Sequence, residues 1–213
     1  MRIQIALDLT DLLKAVNMAR DLCTAGADLL EAGTPFIKTF GIGAVALLKS
    51  SCPSAELVAD LKTADVGALE AELARTAGAD WATVMAATNI ETIEEFALRG
   101  RELGLKIALD TIGVLSPYDR VKEVLGRVPL DMAIMHLGID VQKRRGLTVD
   151  QLVAEALRVK DLGVSVAVAG GIGQRELEKI ATTNIDVAII GRAITSAPSP
   201  KEAFLLLKSI ITK

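Results

Sequence analysis

Short apolar runs alternate with longer stretches of mixed character along the whole chain. The runs begin near Ile3 (IQIALD), Ala27 (ADLLEAG), Glu56 (ELVADLK), Ala79 (ADWATV), Lys106 (KIALDT), Asp131 (DMAIMH), Val164 (VSVAVAGG) and Ile185 (IDVAIIG). Successive starts lie 21 residues apart at the closest, from 164 to 185, and 33 at the widest, from 131 to 164. That spacing holds one strand, one helix and two loops.

Between the runs, apolar residues return with a helical period. Asp11 to Thr24 carries Leu12, Leu13, Val16, Met18 and Ala19 on a roughly 3.6-residue repeat. Ile90 to Leu103 follows Thr88-Asn89, a capping pair, and has Glu91, Glu94 and Glu95 in its first turns, where the helix dipole favours acids. Thr148 to Leu162 and Pro200 to Ile211 read as helices too, the second opened by Ser199 before Pro200. Gly-Ala-Asp recurs at 26–28 and 78–80, and Gly104 and Gly163 occupy the same place before a strand. These are the glycines that end helices. Eight such units without a linker predict one domain over 1–213, an α/β fold of the (β/α)8 TIM-barrel type. An open doubly wound sheet is the alternative, but no G-x-G-x-x-G follows the first strand.

Composition narrows the function classes. Hydrophobic residues make up 51% and charged residues 24% of the 213, which excludes an intrinsically disordered chain. Aromatics are only 3%, so Ala, Val, Ile and Leu must build the core, as in parallel sheets. A net charge of −3 provides no basic field for nucleic acid or anionic membranes. No stretch of about 18 uncharged apolar residues predicts a membrane span, and the first residues lack a leader pattern. Cys23 and Cys52 form no C-x-x-C. A disulfide is not expected, and a reducing cytoplasm is the expected location. The single histidine, His136, excludes a His-rich metal site built by one chain.

Chemistry is expected at the C-terminal ends of barrel strands. Those ends read Asp8, Glu31, Asp60 with Lys62, Asp110, His136 and Gly170-Gly171, polar or glycine where strand interiors are apolar. Asp60 and Lys62 are expected on one side of a strand, because side chains alternate. They read as a poised carboxylate and ammonium or as an ion pair closing the strand. Glu31 and Asp60, from adjacent strands, make a natural Mg²⁺ site of carboxylates completed by water and substrate oxygens. A Glu31–Lys62 ion pair is the other reading. His136 suits a general base at neutral pH, or a structural role. Gly170-Gly171 and Gly191-Arg192 end the seventh and eighth runs, where barrels commonly bind phosphate. Glycines let backbone N–H groups approach the anion, and Arg192 supplies fixed charge. Simple tight turns would give the same glycines. Lys143-Arg144-Arg145 reads as a solvated loop or as an attractor for a phosphorylated substrate.

Six motifs come in one order: Ala6-Leu7-Asp8, Glu31-Ala32-Gly33-Thr34-Pro35, Ala59-Asp60-Leu61-Lys62-Thr63-Ala64-Asp65, His136-Leu137-Gly138-Ile139-Asp140, Ala169-Gly170-Gly171-Ile172 and Gly191-Arg192-Ala193-Ile194-Thr195. Together they resemble the orotidine monophosphate decarboxylase superfamily and, within it, the 3-hexulose-6-phosphate synthases. Glu31 resembles the Mg²⁺-dependent branch, since the metal-free orotidine decarboxylases carry Lys there. The sister 3-keto-L-gulonate-6-phosphate decarboxylases typically read His-Arg-Ser-Arg-Asp after the sixth strand, where this chain has Leu137, Gly138 and Ile139 between His136 and Asp140. Gln142 completes the synthase-like His-x-Gly-x-Asp-x-Gln form. Arg192 is the departure: decarboxylases of the superfamily often carry it, where synthases commonly have glycine.

The resemblance implies condensation of formaldehyde with D-ribulose 5-phosphate to D-arabino-3-hexulose 6-phosphate. It implies Mg²⁺ on Glu31 and Asp60, His136 as base, Lys62 facing developing negative charge, and Asp8 on the sugar hydroxyls. Phosphate would lie on Gly170, Gly171, Gly191 and Arg192. Asp65 would reach into the partner's site, making a homodimer with shared active sites. Decarboxylation of a β-keto sugar phosphate is the alternative activity. A non-catalytic phosphosugar-binding barrel is the third reading.

Overall fold

The structure, a computed structural model, describes residues 1–138, 140–141 and 149–212. Within them eight parallel strands close into a barrel in sequential order. The elements run β1 (Arg2–Leu7), α1 (Leu12–Thr24), β2 (Leu29–Ala32), α2 (Thr34–Phe40), α3 (Gly43–Ser51), β3 (Glu56–Thr63), α4 (Gly67–Thr76), β4 (Trp81–Met85), α5 (Ile90–Glu102) and β5 (Lys106–Asp110). They continue α6 (Pro117–Leu125), β6 (Met132–His136), α7 (Val149–Lys160), β7 (Ser165–Ala169), α8 (Gln174–Ile180), β8 (Val187–Ile190), α9 (Arg192–Thr195) and α10 (Pro200–Ile211). Closure comes from β1 against β8, where Arg2 faces Val187 and Ile5 faces Ile190. Each predicted apolar run holds one strand, so the TIM barrel expected from the sequence is present.

Helix ends follow the expected chemistry. Asp11 accepts from the Lys14 N–H at 3.0 Å to start α1, and Ser199 accepts from the Glu202 N–H at 3.4 Å to start α10. Asn89 stands at the α5 N-cap in extended conformation, without a side-chain cap bond. The four helix-exit glycines, Gly26, Gly78, Gly104 and Gly163, have φ between +70° and +88°. Two helices, α2 and α3, fill the connection between β2 and β3, which is not among the stretches read as helical from the sequence. Gln142 and the basic run Lys143-Arg144-Arg145 lie outside the described residues, as do Ile139 and Thr148.

Two apolar layers hold the barrel. The larger lies between strands and helices, with Ile5, Leu7, Leu22, Phe36, Ile93 and Phe96 among its buried members. The smaller lies inside, from Ala6, Leu29, Val58, Ala108, Ile134, Ala167 and Ile189. Inward residues recur every second position, so the same faces end, towards the strand C-termini, in Glu31, Asp60, Asp110 and His136. At the opposite end Arg2 meets Glu56 at 2.7 Å, Lys106 also pairs with Glu56, and the Lys106 Nζ stands 4.8 Å from the Trp81 ring. Burial alone would raise the Glu56 carboxyl; the two cations override it and lower it to about 2.

Cys23 and Cys52 are joined in a disulfide, with Cα atoms 5.4 Å apart. This corrects the expectation of two free thiols, and with it the cysteine argument for a reducing compartment. The residues are 29 apart in sequence. They meet because α1 packs against α3 on the outside of the barrel, a contact that spacing alone cannot display. Among the described residues no helix is long and apolar enough to cross a membrane.

Candidate active site

The β3 strand leaves regular pairing where its chemistry begins. Ala59 faces Ala82 and Thr63 faces Val84, so four steps on β3 match two on β4. The extra residues form a bulge in which Lys62 takes φ +48°, the left-handed region. Asp60 and Lys62 do face each other, but the bulge rather than regular alternation brings them together. Thr83 on β4 fills the gap. Its hydroxyl accepts from the Lys62 N–H at 2.9 Å and donates to Asp60 Oδ1 at 2.8 Å.

Lys62 then bridges two buried carboxylates. Its Nζ lies 2.7 Å from Asp60 Oδ2 and 3.1 Å from Asp110 Oδ2. Burial opposes the charged ammonium, but Asp60 and Asp110 outweigh it, and the Lys62 pKa is raised. The Glu31–Lys62 ion pair weighed above is not formed; Glu31 accepts from Gln4 Nε2 at 2.5 Å instead. Thr34 at the start of α2 donates to Asp60 Oδ2 at 2.6 Å.

Asp110 is the central residue that the sequence reading placed at a strand end and gave no role. Its Oδ2 lies 2.9 Å from His136 Nδ1, its Oδ1 lies 3.1 Å from the same nitrogen, and Oδ1 accepts from the Ile112 N–H at 2.9 Å. Burial pushes its carboxyl up, but His136, Lys62 and the Ile112 N–H prevail and hold it below the ordinary range. An ionised Asp110 fixes Nδ1 of His136 as the bonded nitrogen and leaves Nε2 for a substrate.

The opposite flank is rich in acid. Glu31 is buried, and desolvation, with Asp60 and Asp8 nearby, holds its pKa well above the usual value. Burial and then Asp60 likewise raise Asp8. The Asp8 carboxylate needs a bare backbone beside it: a Cβ on Gly33 would fall 2.0 Å from Asp8 Oδ1. Gly170 and Gly171 have φ of +122° and +66°, so their peptides turn in ways side-chain residues avoid.

One cavity of about 930 Å³ is lined by Asp8, Glu31, Asp60, Lys62, His136, Gly170, Gly171, Gly191 and Arg192. That volume is ample for a small phosphorylated sugar. Asp65 is exposed, absent from this lining, and its carboxylate accepts from the Val66 N–H at 2.8 Å. Glu176 also lines the cavity and accepts from the Gly173 N–H at 3.0 Å. Sequence reading missed Gln4, Thr34, Thr83 and Glu176. For Asp110 a signal existed, an acid ending an apolar run; for the others only position in the folded chain reveals the role.

Two observations bear on a cation at Glu31 and Asp60. The acids there outnumber the cations, and Gln4 Oε1, next to Glu31, is a buried acceptor without a donor among the described residues. No group of three or more His, Cys, Asp or Glu side chains forms a metal cage among those residues. A two-carboxylate pair that leaves other positions to water and substrate suits Mg²⁺ rather than a structural zinc.

Comparison with known proteins places this geometry. Residues 1–205 match the model of the Orotidine 5'-phosphate decarboxylase / HUMPS family. The 3-hexulose-6-phosphate synthase of Bacillus subtilis (strain 168) is 32% identical over 213 residues, covering 100% of both chains. A crystal structure of 3-hexulose-6-phosphate synthase superposes with a TM-score of 0.93 at 30% identity, covering 99% of this chain and 100% of that one. The 3-keto-L-gulonate-6-phosphate decarboxylase of Vibrio cholerae O1 superposes with a TM-score of 0.85 at 31% identity, covering 99% and 97%. The chain spans about half the length of the bifunctional Fae/Hps relatives that it also matches. The protein is an enzyme, a lyase. By its family match, its relatives and its barrel, the chain belongs to the Orotidine 5'-phosphate decarboxylase / HUMPS family.

Proposed function

We propose that the chain condenses formaldehyde with D-ribulose 5-phosphate to D-arabino-3-hexulose 6-phosphate in a reversible, Mg²⁺-dependent aldol reaction. The observation that carries this reading is the chain of contacts Asp60–Lys62–Asp110–His136, of which Asp60, Lys62 and His136 line a cavity that ends on the β7 and β8 glycines. The named synthases at about the same length support it.

Glu31 and Asp60 would hold Mg²⁺, which when bound supplies Lewis-acid stabilisation to charge developing on sugar oxygens. Gly170, Gly171, Gly191 and Arg192 anchor the phosphate and so fix the distant carbons. Asp8 accepts from sugar hydroxyls. His136, oriented by Asp110, takes the C1 proton on Nε2. Lys62 faces the negative charge that appears on oxygen as that proton leaves. The electron pair left on C1 forms the bond to the formaldehyde carbon, and the formaldehyde oxygen receives the proton from His136.

A homodimer belongs to this reading. Asp65 is exposed and does not line its own cavity, and it is followed in the chain by exposed Val66, Leu69 and Leu73. Asp65 would complete the partner's site. Arg192 in the cavity favours one alternative, loss of CO₂ from a β-keto sugar phosphate. The two activities separate on incubation with ¹³C-formaldehyde and ribulose 5-phosphate. A new labelled carbon joined to the sugar supports the condensation. Absence of label together with CO₂ release from 3-keto-L-gulonate 6-phosphate would replace it with the decarboxylase.

A further inference from the structure

The flank of the mouth formed by β5 and β6 carries an apolar wall with no role in the reading above. Ile112 lines the cavity, and so does Gly138, two residues after His136. A Cβ built on Gly138 would stand 3.4 Å from Ile112 Cδ1 and 3.7 Å from its Cγ1, ordinary contact distance, so the Ile112 side chain is a near neighbour of the bare face of Gly138. The wall is tied to the base. Ile112 donates its N–H to Asp110 Oδ1 at 2.9 Å, and the same oxygen lies 3.1 Å from His136 Nδ1.

Proton bookkeeping places the acceptor there. In the proposed condensation, which this inference rests on, the C1–H bond breaks and His136 holds the proton. The C1 pair then forms a carbon–carbon bond, and the carbonyl π pair becomes an alkoxide that needs that proton back. The acceptor oxygen must therefore lie within reach of His136, and the rest of the aldehyde must fit between C1 and the nearest wall. An apolar wall also withholds water, which would otherwise protonate C1 before the aldehyde arrives. We propose that Ile112, beside Gly138 in the cavity wall, sets the size of the carbonyl acceptor and restricts the enzyme to formaldehyde.

The test compares formaldehyde and glycolaldehyde as acceptors for ribulose 5-phosphate in wild type, Ile112→Val and Ile112→Ala. Exchange of the C1 proton in deuterium oxide without aldehyde is read alongside. One methylene more or less on a substrate in an apolar pocket changes discrimination by about 10-fold or more, and space opened in the wall should relax that penalty by a comparable factor. The ratio of kcat/KM for glycolaldehyde over formaldehyde should rise about 10-fold in Ile112→Val and further in Ile112→Ala. An unchanged ratio in variants that still exchange the C1 proton overturns the role of Ile112. If Ile112→Ala fails to fold, Ile112→Val decides by the same ratio. A wild type that neither exchanges the C1 proton nor condenses formaldehyde overturns the aldol reading itself, and this inference with it.

Discussion

His136 Nδ1 lies 2.9 Å from Asp110 Oδ2, and Asp110 Oδ2 lies 3.1 Å from Lys62 Nζ. One carboxylate thus holds both the imidazole and the ammonium. Both partners keep Asp110 ionised despite its burial. Asp110→Asn keeps the shape and removes the charge. It is expected to lower kcat about 100-fold or more, in the range of a misoriented general base, with a smaller change in KM. Steady-state kinetics on a variant with wild-type circular dichroism checks this; an unchanged kcat would detach His136 from Asp110 in the mechanism.

Thr83 tests the bulge. Its hydroxyl is the group that pairs with both the Lys62 N–H and Asp60 Oδ1. Thr83→Val leaves a buried donor and acceptor without a partner, a loss of about 1–3 kcal/mol in urea denaturation. Activity should fall with it, because the bulge places Lys62. Thr83→Ser keeps the hydroxyl and should recover most of both. Equal behaviour of Val and Ser would show that the bulge stands without the bond.

That pair also shows what a sequence can reveal. The spacing Asp60-x-Lys62 announced a site, but through a strand alternation that the bulge at Lys62 interrupts. Glu31 and His136 were legible because each is a charged or ionisable group closing an apolar run. Thr83 was not, since a threonine inside a strand is ordinary. The Cys23–Cys52 bond was invisible for a different reason: it depends on how α1 and α3 pack. The barrel itself was legible because eight apolar runs repeat along the chain, whereas α2 and α3 lie inside the second connection, where one crossover helix is enough to join two strands.

The other end of the barrel should matter for stability alone. Glu56 has a folded pKa of about 2, below the ordinary 4.5, through Lys106 and Arg2. A depressed carboxylate stabilises the fold above about pH 4.5, and that contribution is lost as pH falls towards 2. The group is partly exposed, so solvent screening reduces the effect to about 1 kcal/mol. Glu56→Gln should destabilise by that amount at pH 7, the difference shrinking by pH 3, with kcat unchanged. A large loss of kcat would place Glu56 in the catalytic machinery.

Asp65 distinguishes a shared site from a closed one. It is exposed and lies outside its own cavity. Asp65→Ala should remain a dimer by sedimentation and lose activity. Mixing it with an inactive His136→Ala protein should restore part of the rate, because one site of a mixed dimer then carries both residues. Full activity of Asp65→Ala alone would remove the partner's aspartate from the reaction.

Formaldehyde consumption in the presence of ribulose 5-phosphate, measured with Mg²⁺ and again after EDTA, is the most direct measurement. Rapid loss of formaldehyde that EDTA abolishes and added Mg²⁺ restores is the expected result, and it joins the aldol reaction to the Glu31–Asp60 pair. No consumption by a well-folded protein with Mg²⁺ present would contradict the condensation. A rate indifferent to EDTA would contradict the metal site.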